Sequence, residues 1–208
     1  NFRRYAATAR PFSAGERTSS TRPATWTPRM SFQPSYFPWT VPAAAPCTGR
    51  MVIGIGEFAI GGPDTSIVTH ALGSCVAVCI WDATAGIGGL LHFLLPDSKI
   101  NPERARLQPG TFADTGIPLL FQSAYARGLE KDRSRVCLVG GAEVAGLAGA
   151  GSFNVGRRNL LAARQLLWRN GVLIHAEAAG GTAPRNVVLQ VGDGSVEVSA
   201  GPGAVLRL

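Results

Sequence analysis

The chain has 208 residues, with 20 Lys and Arg against 13 Asp and Glu and a formal charge of +7. That length suits one domain of ordinary size plus an extension. No apolar run reaches the roughly 18 to 20 residues of a spanning helix, which excludes a helical membrane protein, and four cysteines are too few for a disulfide framework and fit a reducing cytoplasm.

Residues 1–50 hold half of the 14 prolines, and Arg3, Arg4, Arg10, Arg17, Arg22, Arg29 and Arg50 face the single acid Glu16. The basic balance of the chain is therefore a property of this segment. With no sustained period of 2 or 3.6 it is expected to be disordered. A native extension with its own partner, a translated upstream leader and a targeting peptide all fit its composition. Met51 is the candidate start of the folded unit, giving an extension of 1–50 and a domain of 51–208. Trp26, Phe32, Tyr36, Phe37 and Trp39 lie among basic residues, but no RNA- or DNA-binding motif accompanies them, so nucleic acid is not an expected partner.

From Met51 the patterning predicts strands at 51–59 and 66–71, then a hairpin of 75–81 with 87–94, then a loop over 96–111. A helix near 113–127, a strand at 135–140 and a helix from Asn154 or Gly156 to about Asn170 follow. Leu160, Leu161, Ala163, Leu166 and Leu167 form the apolar face of that second helix, and Gly171 stops it. Strands at 172–177, 186–191 and 195–199 complete an α+β layered fold.

The hairpin carries the chemistry. Gly73-Ser74-Cys75 opens its first strand and His92 lies in its second. A turn centred near Ala83 and Thr84 would put Cys75 directly opposite His92, with Cβ atoms about 5 Å apart on one face. A slip by one residue would separate them onto opposite faces. A cysteine is reactive as its thiolate, which a histidine can stabilise as an ion pair before delivering a proton to a leaving group. Gly73 and Ser74 could expose backbone N–H groups to a developing oxyanion on a carboxamide or ester. Against this, a cysteine in an apolar strand is commonly packing. Cys79 is read as core, about 13 Å along the same face from Cys75. That distance, and the lack of Cys-x-x-Cys spacing, argue against a zinc site, and no metal or cofactor is expected.

Gly54-Ile55-Gly56-Glu57, Leu72-Gly73-Ser74-Cys75-Val76-Ala77-Val78, Gly88 through Ser98, Ala113-Asp114-Thr115, Gly140-Gly141-Ala142, Val155-Gly156-Arg157-Arg158-Asn159 and Gly180-Gly181 with Arg185 stand in order along the chain. In sequence and spacing they resemble the motifs of the CheD family of chemoreceptor glutamine deamidases. The resemblance implies a sheet-rich sandwich with helices packed outside. It also implies hydrolysis of glutamine side-chain amides in the helical cytoplasmic bundle of chemoreceptors, with Cys75 as nucleophile, His92 as base and acid, and Thr69 as third active-site residue. Some relatives also cleave receptor methyl esters. A CheC-type phosphatase is the implied regulatory partner.

Several readings stay open. Without the resemblance, Thr69 would be a plain β-branched strand residue. His70 competes with His92 for the role of base, although residues 69 and 70 face opposite ways in an extended segment. The two glycine pairs are tight turns or the walls of a receptor groove, since neither leads into a P-loop. Arg157 and Arg158 are helix-start surface charges or, with Arg185, substrate-docking groups. Relatives often have lysine before Gly140-Gly141-Ala142, where this chain has Cys137-Leu138-Val139, and alanine where Gly116 follows Thr115. A non-catalytic docking module in chemotaxis signalling is the competing function.

Overall fold

The computed structural model describes residues 47–143, 154–201, 203 and 205–208. The expected disordered extension lies outside the described residues up to position 46. Its last residues belong to the sheet: β1 (Cys47–Val52) runs parallel to β2 (Phe58–Leu72), with Gly49 beside Thr65 and Arg50 beside Ser66. The folded unit thus begins before Met51.

β2 is continuous through Gly61-Gly62-Pro63, where the breaker residues suggested a gap. Gly61 makes this possible: a Cβ there would stand 2.6 Å from the Thr65 side chain, so only glycine permits the local bend. The hairpin forms as β3 (Val76–Asp82) and β4 (Ile87–Phe93). Asp82, fully buried, ties its turn by accepting from the N–H groups of Thr84 and Ala85, and it also accepts from Glu130 N–H and the Arg133 guanidinium.

The remaining elements are α1 (Pro102–Leu107), α2 (Ala113–Tyr125), β5 (Arg135–Gly140), α3 (Val155–Arg169), β6 (Ala176–Ala179), β7 (Arg185–Gln190), β8 (Val196–Ser199) and β9 (Val205–Arg207). They join one sheet in the order β6-β5-β3-β4-β2-β7-β8-β9, with β1 on β2. Among the strand pairs of the described residues, only β1–β2 and β5–β6 are parallel.

Period-2 alternation on β3 sorts its side chains into two cores. Val76, Val78 and Ile80 meet Ile117, Leu120 and Phe121 of α2 and Leu160, Ala163 and Leu167 of α3. Ala77 and Cys79 face the other way, into a core with Ile67, Leu72, Val187, Leu189, Val196 and Val198. Strands far apart in the sheet can share that core only if the sheet curls, and the indole N–H of Trp81 crosses it to reach the Val191 carbonyl at 2.8 Å. The α+β layering is as expected, with one curled sheet forming both walls of the inner layer and helices outside. On α3, Leu161 is an exception to the expected apolar face, being 53% exposed, because it sits a full 100° round the helix from Leu160. Among the described residues, no helix is long and apolar enough to cross a membrane.

Candidate active site

Cys75 lies at the entry to β3 and His92 near the end of β4, both facing the inner core and both nearly inaccessible. Val76 pairs with Phe93 and Ala77 with His92, so the register differs by two residues from the expected one. A slip of two keeps the face. Cys75 and His92 are therefore diagonal neighbours rather than direct opposites, and no thiol–imidazole hydrogen bond closes between them: His92 Nε2 is buried and makes none. The slip comes from the turn, which takes all four residues Ala83–Gly86, with Gly86 at a φ of 62°.

The His92 backbone is fixed on both sides, its N–H donating to Glu57 O at 3.0 Å and its carbonyl accepting from Gly56 N–H at 2.7 Å. Thr69, from β2, completes the arrangement. Its Oγ1 is 2.9 Å from the Ile53 carbonyl and 2.8 Å from His92 Nδ1. A carbonyl only accepts, so the hydroxyl proton goes to Ile53 and the oxygen accepts from Nδ1–H. That assignment leaves Nε2 as the unprotonated, basic nitrogen.

Burial sets the charges. It pushes the His92 pKa down to about 4, against a smaller upward pull from Glu57, and pushes the Cys75 thiol up to about 11, against the lowering effect of its own backbone N–H. The resting pair is thus a neutral thiol and a neutral imidazole, not the thiolate–imidazolium pair expected from sequence. Such a pair suits a histidine that accepts the thiol proton as attack begins. His70 is exposed on the opposite side of β2.

The family model described as CheD chemotactic sensory transduction matches residues 94–200. A protein of Syntrophus aciditrophicus (strain SB) named "Probable chemoreceptor glutamine deamidase CheD 1" is 40% identical over 161 residues, 77% of this chain and 99% of that one. Another from Anaeromyxobacter dehalogenans (strain 2CP-C), "Probable chemoreceptor glutamine deamidase CheD 2", is 47% identical over 152 residues, 73% of this chain and 94% of that one. The chain belongs to the CheD family. The family model's match begins just after His92. The matches to the two relatives, by their length in this chain, span Thr69, Cys75 and His92 wherever they start. A crystal structure of a Neisseria meningitidis protein, 12% identical with a TM-score of 0.33 and covering 65% of this chain and 62% of that one, is too distant to argue from.

The other CheD motifs build the surroundings. Beyond Thr69, β2 bulges, with Ala71 at a φ of 57° and its N–H held by Asn186 Oδ1 at 3.0 Å. A non-glycine residue in the left-handed region carries strain of roughly 1 kcal/mol or more, and here it redirects the chain towards Cys75. The Gly73 N–H donates to the Ala71 carbonyl at 2.9 Å, so of the expected oxyanion donors it is already engaged.

Gly140 and Gly141 turn beneath Cys75. A Cβ on Gly140 would lie 2.4 Å from the Cys75 carbonyl, a contact no larger residue could make. Gly180 N–H donates to Gly140 O at 2.8 Å, so the two glycine pairs brace each other. Arg185, opposite Leu72 on β7, is half-buried and its Nη1 has no hydrogen-bond partner. Arg157 and Arg158 are exposed on the first turn of α3. Arg158 lines a surface groove of ≈ 350 Å³ with Asp97, Asp114, Leu161 and Arg169, which contains none of Thr69, Cys75 and His92.

Two site residues lacked an assigned role in the sequence reading although both stand in its motifs. Glu57 is the charge that acts on His92, pulling its pKa upward, and its carboxylate accepts from Gly54 N–H at 2.7 Å. Asn159 is fully buried, and its Nδ2 donates both to Ser74 O at 2.9 Å and to Leu94 O at 2.8 Å. Asn159 stands four and eight residues before the buried Ala163 and Leu167 of α3, and that helical spacing is the signal that could have shown it facing inward. Among the described residues, no group of three His, Cys, Asp or Glu could hold a metal ion.

Proposed function

We infer that this CheD-family chain acts as a chemoreceptor glutamine deamidase and that Cys75, His92 and Thr69 carry the reaction. The observation that most supports this reading is the Thr69 Oγ1 contact at 2.8 Å, which gives Nδ1 a proton acceptor and leaves Nε2 basic on the face it shares with Cys75. The Cys75 thiol proton passes to His92 Nε2 as Sγ attacks the glutamine amide carbon. The oxyanion is received by backbone N–H groups of Ser74 and Cys75. The same proton, delivered from Nε2 to the amide nitrogen, lets ammonia leave and a thioester remain. Water then attacks the thioester with His92 as base, releasing glutamate and the free thiol.

The receptor's cytoplasmic helical bundle is the proposed substrate, the cytoplasm the proposed location and a CheC-type phosphatase the proposed regulator. Arg185, with its unpaired Nη1, is the arginine best placed to meet substrate, whereas Arg157 and Arg158 could serve docking only from the outer surface. Incubation with receptor cytoplasmic fragments should yield ammonia and a mass gain of about 1 Da per converted glutamine, as amide hydrolysis through an acyl-enzyme requires. Wild-type protein that converts no receptor glutamine would sink the proposal in favour of a docking module.

A further inference from the structure

Three consecutive carbonyls around Cys75 are each held by a donor, two from the bend after β5 and one from α3. Gly73 O accepts from Ala142 N–H and Cys75 O from Gly141 N–H, both at 2.7 Å, and between them Ser74 O accepts from Asn159 Nδ2 at 2.9 Å. A trans peptide is planar, with its C=O and N–H directed oppositely. Pinning Gly73 O therefore turns the Ser74 N–H away from the bend after β5, and pinning Ser74 O turns the Cys75 N–H away from Asn159. Two of the three donors are backbone groups of the bend after β5. The third is a side chain, and its second bond, to Leu94 O at 2.8 Å, ties the same peptide to the residue two beyond His92.

Asn159 is retained at a cost. It is fully buried, and its Oδ1 has no hydrogen-bond partner, an arrangement that a purely packing position would avoid by carrying an apolar residue.

We propose that Asn159 is a positioning residue for acyl transfer, holding the Ser74–Cys75 peptide so that its N–H faces the oxyanion and keeping that peptide in register with the strand that carries His92. This rests on the deamidase reading. Loss of the donor leaves Cys75 and His92 in place but frees the peptide between Ser74 and Cys75 to rotate, so the loss falls on stabilisation of the tetrahedral intermediate.

The full-length protein and its Asn159→Asp variant, near-isosteric but without the donor, are compared in two reactions. Receptor-fragment deamidation should lose about ten- to a hundredfold in kcat with KM within about threefold, approaching what removal of an oxyanion donor costs. Alkylation of Cys75 by iodoacetamide, read by peptide mass mapping, should stay within about threefold of wild type, because displacement at a saturated carbon forms no oxyanion. If Asn159→Asp melts below the assay temperature, Asn159→Leu, similar in size and without a donor, is assayed in its place with the same expected split. A folded variant with wild-type kcat, or one in which alkylation and deamidation fall together, overturns the assignment. A wild-type protein that alkylates at Cys75 but deamidates nothing would instead overturn the deamidase reading.

Discussion

Cys75 and Cys79 share a strand face and a core, yet only one has the surroundings of a nucleophile. Cys79 lies in mid-strand, opposite Leu90 on β4 and Cys137 on β5. Burial drives its thiol pKa upward, reinforced by Cys137. Cys75 lies where β3 begins, so its peptide is outside the ladder and its carbonyl is held by the Gly141 bend. His92 lies one diagonal step away. On the proposed mechanism, reactivity is a property of strand ends, where irregular backbone brings N–H groups and a base to the thiol, whereas a regular ladder consumes those same N–H groups.

The strongest way to break this contrast is to remove each end group in turn. Cys75→Ala and Cys75→Ser should abolish receptor deamidation, measured as ammonia release. His92→Ala should lower kcat/KM by about 10³-fold or more, because it removes the acceptor for the thiol proton and the donor to ammonia. A near-normal rate in that variant would move the base to His70. Thr69→Val should cost about ten- to a hundredfold by releasing the Nδ1–H, with Thr69→Ser close to wild type. Equal rates for both Thr69 variants would show that the hydroxyl orients nothing.

The pH dependence sharpens the same contrast. His92 is held down at about 4 from its ordinary 6.5. Between those values the unfolded chain binds a proton that the folded chain does not, so the stability from a neutral His92 is present above pH 6.5 and lost as pH falls through about 4. Cys75, raised to about 11 from its ordinary 9.0, acts in the opposite sense: its contribution is present below pH 9 and lost as pH rises through 11. Melting temperatures should therefore decline at both ends. The acid decline should flatten in His92→Gln, and part of the alkaline decline should remain in Cys75→Ala, because Cys79 keeps its own raised thiol. Deamidase activity should persist at pH 6, since the base is still neutral there; a rate halved near pH 6.5 would contradict the buried His92.

What the sequence disclosed follows the strength of local signals. The β3–β4 hairpin, β5 and α3 were readable because alternation and the 3.6 period dominate there. The side-chain face of Cys75 relative to His92 was readable too, because a two-residue change in register preserves it. Direct opposition was not, because the turn's length depends on Asp82, whose partners Glu130 and Arg133 lie some fifty residues away. The strand placed at 172–177 begins only at Ala176, since Val172 N–H still closes the end of α3 on Leu167 O. α1 falls within the loop expected over 96–111, although Asn101-Pro102 supplies its start, with Asn101 Oδ1 accepting from Arg104 N–H. β9, three residues long, depends wholly on pairing with β8. Asn159 ends the Val155-Gly156-Arg157-Arg158-Asn159 motif, but its role requires knowing that α3 begins beneath Ser74, which no local pattern carries.

The smallest effect is expected at Cys79, and it is the control on which the contrast depends. Cys79→Ala removes one sulfur from a fully enclosed position between Leu90 and Cys137. It deletes no hydrogen bond and leaves Thr69, Cys75, His92 and Asn159 untouched. The loss is a small cavity plus the apolar area of a thiol, about 1–2 kcal/mol of stability, towards the low end for buried truncations. Denaturant unfolding should show that decrease with an unchanged m-value, since the surface exposed on unfolding hardly changes. Deamidation kcat/KM should remain within about twofold of wild type, because each strand-end contact around Cys75 is fixed by groups other than Cys79. A folded Cys79→Ala that loses tenfold in rate would mean the mid-strand thiol supports the nucleophile, and the distinction between strand end and strand middle would fail.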